Sequence, residues 1–288
     1  MRLFTRVVER RSFTQAAHDL DIPRSTATQV IRQLEERLGV RLLQRTTRIV
    51  HPTLDGEAYY RRCLAILDDI EDAEGAFRGA TPRGMLRIEV QGTIARHFLL
   101  PGLPDFVARY PEIGIAMSES DRWVDVVREG VDCVLRYGAL PDSDLVARQV
   151  ATLGRVTVAA PAYLSAHGIP ETPADLARHK AVGIRLLSTG ALTPFEFTDA
   201  GKPTQPEIAT PLSVTGTESF RDAVLLGLGI AQMPLFHIEQ DLAEGRLVRL
   251  LEPYAVPSAP VSILYPRSRQ LSPRVRLFID WAVGRFAR

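Results

Sequence analysis

The apolar positions of the first 53 residues fall into three short helical stripes. Leu3, Phe4, Val7 and Val8 give one face of an opening helix. In "SFTQAAHDLDI", Ser12 or Thr14 can cap a second helix on which Ala16, Ala17 and Leu20 share a face. Asp21 and Pro23 stop it, because proline has no N–H to donate and favours the first turn of a new helix. Ala27, Val30, Ile31, Leu34 and Leu38 then recur at helical spacing, and Gly39 closes the run. Two helices joined by a short turn, with small alanines where they cross, predict a helix-turn-helix, and the preceding helix completes a three-helix core. After Gly39 the pattern changes, and "VRLLQRTTRIVHPT" alternates enough for a hairpin with its tip at Arg45-Thr46-Thr47-Arg48.

Thr53 can cap a further helix beginning at Leu54. Tyr59, Cys63, Ile66, Ile70, Ala73 and Phe77 follow at spacings of 4, 3, 4, 3 and 4. Such a seven-residue repeat makes a narrow seam suited to pairing with another helix. Asp68, Asp69, Glu71, Asp72 and Glu74 leave the opposite side wet, as on an exposed arm; packing of the seam on the chain's own body is the alternative. Thr81-Pro82-Arg83-Gly84 reads as a hinge, after which strand patterns ("MLRIEV", "IGIAMSES", "VDCVLRYG", "GRVTVAAP", "APVSILYP") alternate with helical ones up to the closing "PRVRLFIDWAVGRF". That alternation predicts a parallel sheet with helices on its faces. About 200 residues suffice for two small α/β lobes.

Charge sharpens this division. Residues 1–53 hold ten arginines against five acids, residues 54–80 three against seven, and the remainder 22 basic against 22 acidic side chains, which gives +5, −4 and zero. Only the head is therefore built to meet a polyanion. Cys63 and Cys133 stand far apart and outside any CxxC spacing, which excludes a disulfide scaffold and suits a reducing cytoplasm. No run approaches the ~18 apolar residues of a membrane span, and no charged-then-apolar leader opens the chain.

On the helix after Pro23, the side pointing away from the predicted core carries Arg24, Ser25, Thr26, Thr28, Gln29 and Arg32. Short hydroxyls, a carboxamide and guanidiniums can hydrogen-bond to base edges and phosphates, where a merely solvated helix would carry Glu and Lys. The hairpin tip adds Arg45, Thr46, Thr47 and Arg48 for the phosphate backbone or the minor groove. The reading is a recognition helix followed by a wing.

"SFTQAAHDL", "STATQVIRQLEERLGVRLLQRTTR" and "TLDGEAYYRRC" together resemble the N-terminal domain of LysR-type transcriptional regulators over roughly residues 1–80. The family pattern maps onto Ala16, Ala17, Thr28, Leu34, Glu35, Leu38, Gly39, Val40, Leu42, Arg45, Thr53 and Gly56. Three features depart from it. Asp21 stands where the turn usually has glycine, a position Asp can fill because it tolerates a left-handed backbone. Gln29 stands where arginine is common, which leaves the base preference open. Met1 falls almost inside the first helix, so the natural start is expected upstream, an expectation that an intact mass equal to this chain would refute.

The resemblance continues through "LLPGLPDFVARYPEI", "DRWVDVVREGVDCVLRYGALPDSDLVAR", "APAYLSAHGIP" and "GLGIAQMP", and is nearest to a subgroup with "PRST" on the recognition helix. It implies a DNA-binding head (1–53), a dimerising linker helix (54–80) and an effector-binding domain (81–288) like a periplasmic binding protein. The first lobe would cover 84–160 plus 264–288, and the second 161–263. It also implies double-stranded promoter DNA, a small-molecule effector, a homodimer assembling to a tetramer, and RNA polymerase as partners. Tyr59, Cys63, Ile66, Ile70, Ala73 and Phe77 become the dimer seam.

In open α/β sheets a ligand lies beyond the carboxyl ends of strands. Those ends offer Gln91, Gly92, Thr93, Ser118, Ser120, Arg136, Gly216 and Thr217, and Met233 in "GLGIAQMP" joins the set. Thr93 and Thr217 each precede a helix, so backbone N–H groups of two lobes could converge on an anion; each could equally be a plain helix cap. Arg136 could supply a bidentate charge, or pair with Asp142 or Asp144 in the next loop. No GxSxG, HExxH or phosphate-cradling loop appears. "LGLGIA" at 226–231 reads as close helix–strand packing, and His18, His51, His97, His167, His179 and His237 never fall at metal-ligand spacing. No catalysis, cofactor or metal is expected. A ligand-independent DNA-architectural protein, or an enzyme with a DNA-binding head, would be the other readings.

Overall fold

The computed structural model describes residues 1–45, 50–77, 82–120, 122, 125–140, 142–187, 189–199, 201–267 and 271–287. The head contains α1 (Arg2–Arg10), α2 (Phe13–Asp19), α3 (Arg24–Leu38) and an antiparallel hairpin of β1 (Leu43–Arg45) with β2 (Val50–Pro52). Ser12 caps α2 by accepting the Gln15 N–H at 3.3 Å. Asp21 does adopt the left-handed backbone, at φ 50°, and Gly39 ends α3 at φ 70°. Phe4, Val7, Ala16, Ala17, Ala27, Ile31 and Leu42 form the buried centre. Pro23 sits one residue before the first turn, as the N-cap. Val30 and Leu38, expected on the core face, remain 42% and 40% exposed. Ala27, Ile31 and Leu34 already fill the narrow contact, and the stripe's borders stay in water.

Glu35 fixes the wing to α3, since its Oε1 accepts the N–H groups of Leu42 and Leu43 at 2.8 and 3.0 Å. Thr53 caps the long helix α4 (Leu54–Phe77) by accepting the Gly56 N–H at 2.9 Å. At Gly56 a Cβ would fall 1.9 Å from the Leu42 carbonyl oxygen, so only glycine lets the helix start this close to the wing.

The linker helix is not a free arm on either side. Tyr59 packs its ring 5.3 Å from that of Phe4, and Cys63 is buried in the head's core. Further along, Ala65 is fully buried, the Arg61 carbonyl lies 3.0 Å from where a Gly130 Cβ would stand, and Asp68 pairs with Arg87 at 2.8 Å. Two expectations are thus corrected. Tyr59 and Cys63 serve the chain's own head, and Asp68 is not wet, because body and head both border the helix. Ile66 is half-buried and Ile70 is 44% exposed. Ala73 and Phe77 lie on the helix, but their side chains fall outside the described residues.

The body follows with β3 (Gly84–Val90), then α5 (Gly92–Ile94), which runs through a π-turn (Ala95–Leu99) and a 3-10 turn (Leu100–Gly102) into α6 (Leu103–Arg109). Next come β4 (Ile113–Glu119), α7 (Val126–Glu129), β5 (Cys133–Tyr137), β6 (Leu145–Leu153) and β7 (Arg155–Ala159). The chain continues with α8 (Pro161–His167), β8 (Lys180–Ile184), β9 (Phe197–Asp199), β10 (Lys202–Thr204), β11 (Ala209–Val214) and α9 (Thr217–Leu225). It ends with β12 (Ala231–Pro234), α10 (Leu235–Ala243), β13 (Val248–Leu250), β14 (Ala259–Pro266) and α11 (Pro273–Arg285).

The first lobe's sheet has the order β4-β3-β5-β14-β6. β3, β4 and β5 are parallel, while β14 runs antiparallel to both β5 and β6. The expected all-parallel sheet is therefore only partly realised, because the chain leaves the lobe on β6 and re-enters on β14. The second lobe holds β12-β7-β13, all antiparallel, and the parallel pair β11-β8. β7 pairs with the second lobe's strands and β14 pairs along its length with β6. The lobe boundaries expected at 160/161 and 263/264 thus move to the neighbourhood of Gly154 and to just before Ala259. The "LGLGIA" reading holds: a Cβ on Gly229 would fall 2.7 Å from the Lys180 carbonyl oxygen of β8.

Candidate functional site: a DNA-facing helix and an inter-lobe cleft

On α3 the core pattern turns one side outward. Arg24, Ser25, Thr26, Gln29 and Arg32 are exposed and Thr28 is half-buried. The Thr28 hydroxyl donates to the Arg24 carbonyl at 3.1 Å, leaving its methyl and lone pairs to face outward. Arg32 Nε lies 2.9 Å from Glu36 Oε1. An exposed pair of this kind holds by only about 0–1 kcal/mol, so a phosphate can displace the glutamate. Pro23 offers no side-chain cap, and the first N–H groups of α3 stay available to an anion. The sequence reading overlooked that feature, although a proline in the cap position signals it. Arg45 ends β1 with its side chain outside the described residues, as are Thr46, Thr47 and Arg48 entirely.

Between the lobes, the ends of β3 and β5 are tied by the Gln91 carboxamide oxygen, which accepts the Tyr137 N–H at 2.6 Å. Gly92 lets the Glu119 carboxylate close in, where a Cβ would fall 2.7 Å from Oε2. Thr93 is buried beside it. Across the cleft, Gly216 is the N-cap of α9 and Thr217 its first residue, and no side chain caps that terminus. Arg96 pairs with Glu218 of the other lobe at 3.1 Å. An aromatic seam joins the two sides: Phe236 on α10 meets Phe98 at 5.0 Å, His97 at 5.4 Å and Tyr137 at 6.1 Å between ring centres.

Two polar atoms in this seam have no hydrogen-bond partner among the described residues, Tyr137 Oη and His237 Nε2. Burial pushes the Tyr137 hydroxyl up to about 12. His237 Nε2 lies 3.4 Å from Glu218 Oε1, yet burial holds the imidazole below its ordinary value, as it does for His97. Where the chain crosses between lobes, Arg155 pairs with Glu196 at 3.0 Å and reaches the Gln232 oxygen at 3.3 Å.

Four of the expected cleft residues point elsewhere. Arg136 is 5% exposed and donates to the carbonyls of Ser120 and Arg122, both at 2.6 Å, rather than to Asp142 or Asp144. Side chains alternate along a strand, and since Leu135 and Tyr137 face the core side, Arg136 must face away from it. Ser118 shares that opposite side, donating to Glu89 Oε2, and the Ser120 hydroxyl accepts the Arg122 N–H. Met233 is fully buried in the second lobe's core, while its neighbour Gln232 turns the other way to hold Glu196. His97, Phe236 and His237 were missed; Tyr137 belongs to the strand end expected at the ligand, Arg136-Tyr137-Gly138, but Arg136 was singled out there, where the period-2 rule applied from Leu135 favours Tyr137. Among the described residues no three His, Cys, Asp or Glu side chains gather as a metal site, and no helix is long and apolar enough to cross a membrane.

Comparison with known proteins agrees with this geometry. Residues 1–57 match the family profile "Bacterial regulatory helix-turn-helix protein, lysR family", and residues 79–287 match "LysR substrate binding domain". The chain is 36% identical to the "uncharacterized HTH-type transcriptional regulator YhjC" of Escherichia coli, over 99% of this chain and 96% of that one. It is likewise 36% identical to an HTH-type transcriptional repressor of Pseudomonas aeruginosa, over 100% and 91%. The solved structure of CrgA, a LysR-type transcriptional regulator from Neisseria meningitidis, superposes with a TM-score of 0.64 at 31% identity, covering 99% of this chain and 97% of that one.

Proposed function

The chain belongs to the LysR family of transcriptional regulators, joining a DNA-binding helix-turn-helix to an effector-binding domain, and from that premise we propose a mechanism for this protein. Arg24, Ser25, Thr26, Thr28, Gln29 and Arg32 enter the major groove and read base edges. The wing, through Arg45, Thr46, Thr47 and Arg48, meets the backbone or the minor groove. The exposed, hydroxyl-rich side of α3, standing on a core that buries Ala27 and Ile31, carries this reading.

A small anionic metabolite binds between the lobes. Gln91, Gly92 and Thr93 line one side, and Gly216 and Thr217 offer the uncapped N–H groups of α9 on the other. The orphaned Tyr137 Oη, and His237 Nε2 with only a long contact to Glu218, can accept or donate to its polar atoms, against the ring of Phe236. The ligand changes promoter output only by binding two lobe arrangements unequally. The outer half of α4, with Ile66, Ile70, Ala73 and Phe77, pairs with a second copy, and dimers assemble further through the body. RNA polymerase is the downstream partner, the compartment is the cytoplasm, and the protein acts without catalysis.

The experiment is a thermal-shift screen of the full chain against small carboxylates and aromatic acids, paired with anisotropy titration of promoter duplexes. A ligand confined to the native state raises the melting temperature. Thr217→Pro, which removes one of these N–H groups at a helix position that tolerates proline, must reduce that rise while DNA binding persists; a rise left unchanged puts the ligand elsewhere.

A further inference from the structure

We infer that the hollow between the linker helix and the first lobe's sheet is a second small-molecule site, taking a zwitterionic amino compound whose ammonium donates to Glu89 and whose carboxylate meets Arg61. The hollow follows from how β3 and β4 are covered. Their Leu86, Ile88, Val90, Ile113, Ile115 and Met117 face the lobe's core, which α6 and α11 close. On the other face α4 and the four-residue α7 give only partial cover. There β4 presents nothing larger than Gly114, Ala116 and Ser118. A hollow of about 580 Å³ remains, with Arg61, Glu89, Ser118, Arg122 and Glu129 on its walls. Small-molecule sites commonly run ~300–1,000 Å³.

At its floor the Glu89 carboxylate is 3% exposed. Oε2 accepts the Ser118 hydroxyl at 2.5 Å, but Oε1 accepts no hydrogen bond among the described residues. The nearest guanidinium nitrogen, Arg136 Nη2, stands 3.8 Å away and is directed to backbone carbonyls. A buried carboxylate oxygen without a donor favours a cation that brings one. Glu89 with a serine is too few ligands for a divalent metal among the described residues. The other charges are matched within the wall: Arg87 with Asp68, and Arg122 with Glu129. Arg61 is held more loosely: it is exposed, in no close ion pair among the described residues, and attracts Glu129 only at longer range, with its backbone fixed against Gly130. A buried acceptor inside and a loosely held guanidinium on the wall contributed by α4 fit an ammonium and a carboxylate on one molecule.

Because α4 supplies one wall and the lobe the floor, an occupant would bind the DNA-side linker to the body without entering the inter-lobe cleft. Calorimetry and thermal shift on the full chain test this, with each of the twenty common amino acids at millimolar concentration as probe and ethylammonium and acetate as half-probes. At least one amino acid should bind and neither half-probe should match it. Glu89→Gln and the exposed Arg61→Ala should each weaken binding tenfold or more, while Thr217→Pro in the cleft leaves it intact. If Glu89→Gln fails to fold, Arg61→Ala decides. No binding by any probe (a hollow holding water alone), equal binding by a half-probe, or loss in Thr217→Pro with retention in Arg61→Ala would each overturn the site, the last by returning the ligand to the cleft.

Discussion

Gly56 illustrates how much a single missing methyl can determine. Its neighbour across the gap is the Leu42 carbonyl, which cannot move without pulling the wing from Glu35. Gly56→Ala should therefore destabilise the head by about 1–3 kcal/mol, read as a lower urea midpoint at unchanged slope. On the opposite side of the head, Arg24→Ala should cost roughly 1–3 kcal/mol of discrimination between operator and scrambled duplex at fixed salt, if it meets a base edge. A uniform loss on both duplexes would make it a phosphate contact instead. Such residues were legible in the sequence because capping and helical spacing are local. Asp21 shows what the resemblance added: its left-handed backbone was expected because it stands where the family's turn usually has glycine, and Asp tolerates that region. Arg136 was only half legible: alternation from Leu135 sets it on the side opposite Tyr137, but its partners, the carbonyls of Ser120 and Arg122, come from beyond another strand and are not local.

Among the elements, α4 departs most from its pattern. The seven-residue seam suggests one continuous contact, yet the structure divides it. Tyr59 and Cys63 pack into the head, Ile66 is half-buried and Ile70 stays exposed, while Asp68, off the seam, pairs with Arg87 of the body. Burial pushes the Cys63 thiol up, so it should react with a maleimide far more slowly in the native protein than in urea. Ile70→Glu should shift the dimer–monomer equilibrium toward monomer by sedimentation without lowering the melting temperature of the head. An unchanged sedimentation profile would move the dimer contact off this helix. The mixed strand directions of the first lobe were hidden for a similar reason: β6 and β14 alternate like any strand, and only their pairing reveals that they run against β5.

At the scale of the whole molecule, the two lobes meet through rings and few charges. His97 and His237 face each other at 5.7 Å, with Arg96 and Glu218 beside them and Arg221 on the same helix as Glu218. Burial lowers both imidazole values, so the folded seam holds them neutral and binds fewer protons than the unfolded chain. Their contribution is present above the ordinary histidine value and is lost as pH falls below about 6.5. The melting temperature should drop between pH 7 and 5, and His237→Gln should flatten that drop; an equal drop in the variant would assign it to other groups. The sequence by itself determined the helix-turn-helix, the caps at Ser12, Gly39 and Thr53 and the outward side of α3, since each rests on spacing or turn chemistry within a few residues, and its motifs carried the family. Only the tertiary structure decided where the chain crosses between lobes, which strand faces line the cleft, and that the linker lies against its own head and body. Those depend on pairing and packing between segments far apart in the chain, where a shift of one residue in strand phase turns every side chain to the other face.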